Sequence, residues 1–132
     1  MLYHIVIYWY MLKLKTKWFN KWAKKNALTD KNLLKTIENI SFNLGVVNLG
    51  GGLFKIRTPK VGQGKSGGFR TLVVYKEKDL AVFVYGFAKT DKDNLDKEEL
   101  KYFKILAKDL LKIKNSEYVK LEKQGSFISL KV

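Results

Sequence analysis

The chain has 132 residues, 46% of them hydrophobic and 29% charged, a size and make-up that fit one globular domain with its own core. Lys and Arg number 26 against 12 Asp and Glu, and the net charge of +14 points to a polyanionic partner, either nucleic acid or an acidic protein. With no cysteine and one histidine (His4), disulfides, thiolate or multi-His metal sites, cysteine nucleophiles and His-based triads are all excluded.

In chain order, residues 2–12 (LYHIVIYWYML) form an apolar, aromatic segment. It is too short for a membrane helix, which needs about 20 residues, and it lacks the basic leader and cleavage site of a signal peptide. Met11 is expected to be the natural start, with residues 1–10 an extension ahead of a single domain over 11–132, so His4 receives no functional weight. Met11–Lys15 predicts a short strand. Thr16 then caps a helix with Trp18, Phe19, Trp22 and Ala23 on one side. Thr29 caps a second helix, with Leu28 and Leu33 as its staple. The spacing of Leu33, Ile37, Ile40 and Leu44 carries that helix to Gly45. Strands are predicted at Leu53–Thr58, Phe69–Lys76 and Leu80–Ala88, rich in Val, Phe and Tyr and bounded by turn residues. The short Glu77-Lys78-Asp79 connection makes the last two an antiparallel hairpin. Gly62, Gly64, Gly67 and Gly68 lead one to expect a flexible connection before that hairpin. Asp96 and Glu99 form a capping box, with Leu95 and Leu100 as staple, for a helix to about Ile113 with Leu100, Phe103, Ala107 and Leu110 inward. A short helical piece after Ser116, Gly125 and a final strand over Phe127–Val132 complete a small α+β domain without repeats or linkers.

Charge is unevenly distributed. From Asn39 to Lys76 there is no carboxylate, while Lys55, Arg57, Lys60, Lys65, Arg70 and Lys76 fall inside that stretch, including both arginines of the chain. Period-2 alternation sends Phe54 and Ile56 to a core face and Lys55 and Arg57 to the other, about 7 Å apart. With Arg70 opening the next strand, the set outlines a cradle for a phosphodiester backbone or, equally, a solvated face of a lysine-rich protein. Gly64-Lys65-Ser66 is not a phosphate loop, because Pro59 occupies the position of its first glycine and strands flank it on both sides.

Three ordered motifs add a resemblance: 49–57 (LGGGLFKIR), 62–72 (GQGKSGGFRTL) and 84–89 (VYGFAK). They resemble the RelE/ParE superfamily of type II toxins, most closely its HigB-like RelE branch. The resemblance implies a RelE-like α+β fold, with two N-terminal helices packed on a small antiparallel sheet and a C-terminal helix. It implies a cytoplasmic, metal- and cofactor-independent endoribonuclease, a toxin that cleaves mRNA on the ribosome by 2′-OH attack on the adjacent phosphate and so inhibits translation. The partners implied are mRNA, the ribosome and a cognate antitoxin, a helix-turn-helix protein encoded next to it; no membrane is implied. The catalytic set carried over is Lys55, Arg57, Arg70 and Lys89, with Lys60, Lys65, Lys76, Tyr85 and Lys92 as RNA contacts. Thr90 stands where some RelE toxins have an arginine, and Asp96 about where a functional tyrosine is found. Tyr85 could stand in for that tyrosine or simply pack, Asp91 and Asp93 could pair with Lys89 and Lys92, and no residue is assigned as general acid. The alternatives are a non-enzymatic ParE-type inhibitor of DNA gyrase and a catalytically degenerate RNA-binding domain.

Overall fold

The computed structural model describes residues 11–59 and 68–131. The remaining positions, among them His4, Lys60, Lys65 and most of the glycine-rich connection, lie outside the described residues. In chain order the elements are β1 (Leu12–Thr16), α1 (Lys17–Lys25), α2 (Asp30–Ser41), β2 (Val46–Gly50), β3 (Leu53–Thr58), β4 (Phe69–Lys76), β5 (Leu80–Ala88), α3 (Lys97–Lys112), α4 (Asn115–Lys123) and β6 (Phe127–Ser129). The strands form one sheet in the order β2-β3-β4-β5-β1-β6.

Local chemistry accounts for most boundaries. Thr16 accepts a hydrogen bond from the Phe19 amide at 3.1 Å and starts α1. Thr29 and Asn32 cap α2 reciprocally, as Asp96 and Glu99 cap α3. Helix α2 ends earlier than the Leu44 spacing predicts. Asn43 takes the left-handed conformation (φ 55°), its amide reaches the Ile40 carbonyl, and the Leu44 amide reaches Asn39, a Schellman closure that leaves Leu44 exposed. Strand β2 has no counterpart in the sequence reading. It is a short edge strand of mostly exposed residues, joined to β3 through Gly50, Gly51 and Gly52, all at positive φ, a turn closed to ordinary side chains.

The sheet is mixed rather than antiparallel, because β1 inserts parallel to β5 while the other pairings are antiparallel. The final strand is also shorter than predicted. One sheet face packs on α1 and α2 through Phe19, Leu33, Ile37, Ile56, Val73 and Phe83. The other packs on α3 and α4 through Leu53, Val74, Val82, Phe103, Leu110 and Tyr118. Coverage on both faces explains why β4 and β5 read as continuous apolar runs. Lys15, buried in β1, pairs with Asp30 at 2.8 Å, and Asp30 also accepts the Lys131 amide at 2.8 Å, which ties β1, α2 and the C-terminal segment together. Burial pushes the Asp30 carboxyl up, but the Lys131 amide and the Lys15 ammonium outweigh it and hold it below its ordinary value.

Candidate functional site

Helix α3 lies against only part of its sheet face. Its buried residues Phe103, Ala107 and Leu110 share a cluster with Leu53, Val74 and Val82, toward one end of the strands. Toward the other end of the strands come two further cross-strand rows, the first of which still touches α3, since Leu72 belongs to the same cluster and the Tyr85 ring lies against Phe103. The first runs Lys55–Leu72–Tyr85 and the second Arg57–Arg70–Phe87. The two-faced burial corrects the simple expectation of one core face and one cationic face: Leu53 is core on the same side as Lys55 and Arg57, and only the far end of that side carries charge.

Tyr85 and Phe87 join these rows through a β-bulge. Leu72 pairs with Tyr85 but Val73 with Phe83, so Val84 is an extra residue in β5. Strict alternation from Val82 would put Tyr85 on the α1/α2 face. The bulge turns it, and Phe87 two residues on, toward Lys55 and Arg70. Gly86 then faces α1, where the Trp22 ring fills the space a Cβ would need.

The Arg57–Arg70 pair stands out electrostatically. Arg57 and Arg70 are register partners, and directly opposed like charges on neighbouring strands repel one another. Arg57 is exposed and Arg70 half-buried, with Arg70 Nη1 donating to the Phe69 carbonyl at 3.4 Å. Lys55 Nζ donates to Asn94 Oδ1 at 3.0 Å, a neutral acceptor that leaves the cation's charge in place.

Lys92 completes the set. Its ammonium lies 5.5 Å from the Tyr85 ring centre and 5.3 Å from that of Phe87, and it is ion-paired with Glu99. The Tyr85 hydroxyl donates to the same Glu99 oxygen, Oε2, at 3.3 Å, while Oε1 accepts the Asp96 amide at 3.0 Å. One carboxylate thus closes the helix cap and organises the site. The Lys92 hydrogen bond and the Asp96 amide hold Glu99 below its ordinary value against a smaller effect of burial. For Lys92, burial favours the neutral amine, but Glu99 and Tyr85 overcome it and raise the ammonium above its ordinary value. Both groups therefore stay charged at neutral pH.

Of the residues singled out from sequence, the structure brings together Lys55, Arg57, Arg70, Tyr85 and Lys92. Lys89 is exposed just beyond β5, its amide bonded to the Gly68 carbonyl. Lys76 does not join them: it closes the opposite end of the β4–β5 hairpin and pairs with Asp79 at 3.5 Å. The partner of Lys92 is Glu99, not Asp91 or Asp93, and Asp96 is committed to the α3 cap. Tyr85 both packs, 4.8 Å from the Phe103 ring, and presents its hydroxyl to the site. Sequence reasoning missed Glu99, Asn94 and Phe87. Glu99 had a signal, its capping-box position, which explained it fully and masked its second role. A groove of about 770 Å³ between α2 and the β4–β5 hairpin, lined by Met11, Leu34, Ile37 and Tyr75, shares no residue with this face.

Comparison with protein families matches residues 11–130 to the RelE toxin of the RelE/RelB toxin–antitoxin system. The chain belongs to the RelE toxin family. As a RelE-family protein it is the toxin component of a toxin–antitoxin system, and a cognate antitoxin is its partner. The α+β architecture is that of the family. Comparison with curated proteins returns no match. Among the described residues of this RelE-family chain there is no cluster of metal-ligating side chains, and no helix long and apolar enough to cross a membrane.

Proposed function

We propose that this toxin is an endoribonuclease of the HigB-like branch that cleaves mRNA on the ribosome, using the charges of its own side chains. The observation that carries this reading is the opposed Arg57–Arg70 pair, flanked by Lys55 and Lys92 at one end of a sheet face. Cations gathered in this way on neighbouring strands are good company for a phosphodiester. In the reaction the ribose 2′-oxygen attacks the adjacent phosphorus and loses its proton to a base. The bond from phosphorus to the 5′-oxygen then breaks, and that oxygen takes a proton, leaving a 2′,3′-cyclic phosphate and a 5′-hydroxyl. Arg57 and Arg70 stabilise the charge that builds on the phosphoryl oxygens. Lys55, beside them, binds the phosphate. The Tyr85 hydroxyl and the Lys92 ammonium are the proton donors within the cluster, and Glu99, kept ionised, orients both. Lys89 extends the basic surface beyond β5.

The test is mapping of mRNA 5′ ends after adding the purified chain to a translating extract. Cuts within codons that vanish in Arg70→Ala and Lys55→Ala, with both variants folded, are the expected result. Intact mRNA together with DNA damage in cells would replace this reading with that of a gyrase inhibitor. The antitoxin, in this proposal a helix-turn-helix protein encoded next to the toxin, is expected to present acidic residues to the same face, so its association rate should fall as salt rises.

A further inference from the structure

Strand β1 pairs with β5 only from Leu80 to Phe83, so the following stretch of β5 has no strand beside it on that side. Helix α1 takes that place. Trp22 seats over Gly86 and meets Phe69 edge-on at 5.3 Å, while Trp18, one turn earlier, stacks on the Tyr85 ring at 4.9 Å and 28°. The two indoles lie nearly parallel, 6.3 Å apart. Trp22 is accounted for by packing. Trp18 is not: it remains 48% exposed although it borders the most charged part of the sheet.

Tyr85 is the shared element. One neighbour of its ring is Trp18, another is the Lys92 ammonium, and its strand row ends in Lys55. An exposed indole therefore sits within roughly 10 Å of a cation in the phosphate-binding cluster, by way of one ring. A flat apolar surface alone fits many occupants. Next to a face that attracts phosphodiesters, the complementary ligand has a π-face and a phosphate on the same unit, which describes an unpaired nucleotide.

We propose that Trp18, backed by Tyr85, is a stacking platform for a nucleobase of single-stranded RNA whose phosphate is held by Lys55, Arg70 and Lys92. This rests on the RNA substrate proposed above and adds a base subsite to it, on a helix that the charge pattern does not mark. Stacking tolerates every base, so the platform supplies affinity and register rather than a sequence code.

The experiment measures binding of the full chain to a short 2′-O-methyl RNA, which cannot be cut, and to an abasic oligonucleotide of equal length and charge. Wild type is expected to prefer the RNA with bases. Trp18→Ala is expected to weaken that RNA by about 5- to 150-fold, the range for one base–aromatic stack, while leaving the abasic strand within about twofold. Trp18→Phe should restore most of the loss, and Trp18→Leu, which keeps apolar bulk without a comparable π-face, should not. Equal weakening of both ligands would show a merely structural role and overturn the platform, as would an unchanged Trp18→Ala or rescue by Trp18→Leu. Cleavage of mRNA in a translating extract separates this from the nuclease reading: cuts without base preference sink the platform alone, and base preference without cuts sinks the nuclease alone. No preference and no cuts would sink both.

Discussion

Replacing Arg70 by Gln tests whether the opposed arginines are a cost that the fold carries for function. Cross-strand partners stand about 5 Å apart at Cβ, and guanidinium groups on such stems come to roughly 7 Å. Coulomb's law then gives about 2.4 kcal/mol of repulsion at an effective dielectric of 20 and about 0.6 kcal/mol in bulk water. With Arg57 exposed and Arg70 half-buried, a value near 1 kcal/mol is expected. Against it stands the lost 3.4 Å bond to the Phe69 carbonyl, long enough to be worth about 0.5 kcal/mol or less. Arg70→Gln should therefore be as stable as the parent or more stable by about 0.5 kcal/mol, raising Tm by about 2 °C. At 1 M salt, where the screening length is about 3 Å, the gain should disappear. Activity should fall by roughly 10²–10³, because a cation at the transition state has been removed. The measurements are paired melts at low and high salt and mRNA cleavage in a translating extract. A loss of more than about 1 kcal/mol at low salt, or a gain that ignores salt, refutes the repulsion argument. A normal melt with parental cleavage refutes the site.

Further outcomes follow from the same structure. Ile56→Ala, in the core behind the site, should cost about 2–5 kcal/mol in denaturant unfolding and lose activity only through unfolding, in contrast to Arg70→Gln. Gly86→Ala sets a methyl group against the Trp22 ring and should cost about 1–3 kcal/mol, with altered tryptophan emission as the indole shifts. Asp30→Ala leaves the Lys15 ammonium buried without its partner and should cost about 2–4 kcal/mol, whereas Lys15→Met, which leaves the more exposed Asp30, should cost less; equal losses in chemical denaturation would contradict this. Because the native Asp30 value is depressed, its contribution is present above the unfolded value near 3.9 and is lost as pH falls from there through the lower native value. Acid titration of stability should therefore show a component below about pH 4 that Asp30→Ala lacks.

How much of this was legible depended on the range of the interactions involved. The bounds of β3, β4 and β5 follow from apolar runs and their flanking turns, and the starts of α1, α2 and α3 from capping side chains three residues from the amides they satisfy. These contacts close within a few residues, so a linear string contains both partners. The alternation that aims Lys55 and Arg57 to one side is local in the same sense. The end of α2 was misplaced because Leu44 continued the helical period while Asn43 supplied the left-handed stop, two local signals in conflict. Strand β2 escaped because it is only five residues long, mostly exposed, and runs straight into three glycines that read as a turn.

What only the tertiary structure decided depends on partners distant in sequence. The parallel placement of β1 beside β5 links residues some 70 positions apart. The bulge at Val84 exists only in the register of β5 against β4, and it alone turns Tyr85 and Phe87 toward the cations. Glu99 completes its cap within α3, so nothing in the string required it to reach Lys92 and Tyr85 as well. Trp18 looked like part of a core stripe because a helical period marks which side residues share, not how far the sheet beneath them extends. The sequence by itself determined the elements and the sign of the charge; strand register and helix placement decided which charges meet, because those are set by packing between segments the chain separates.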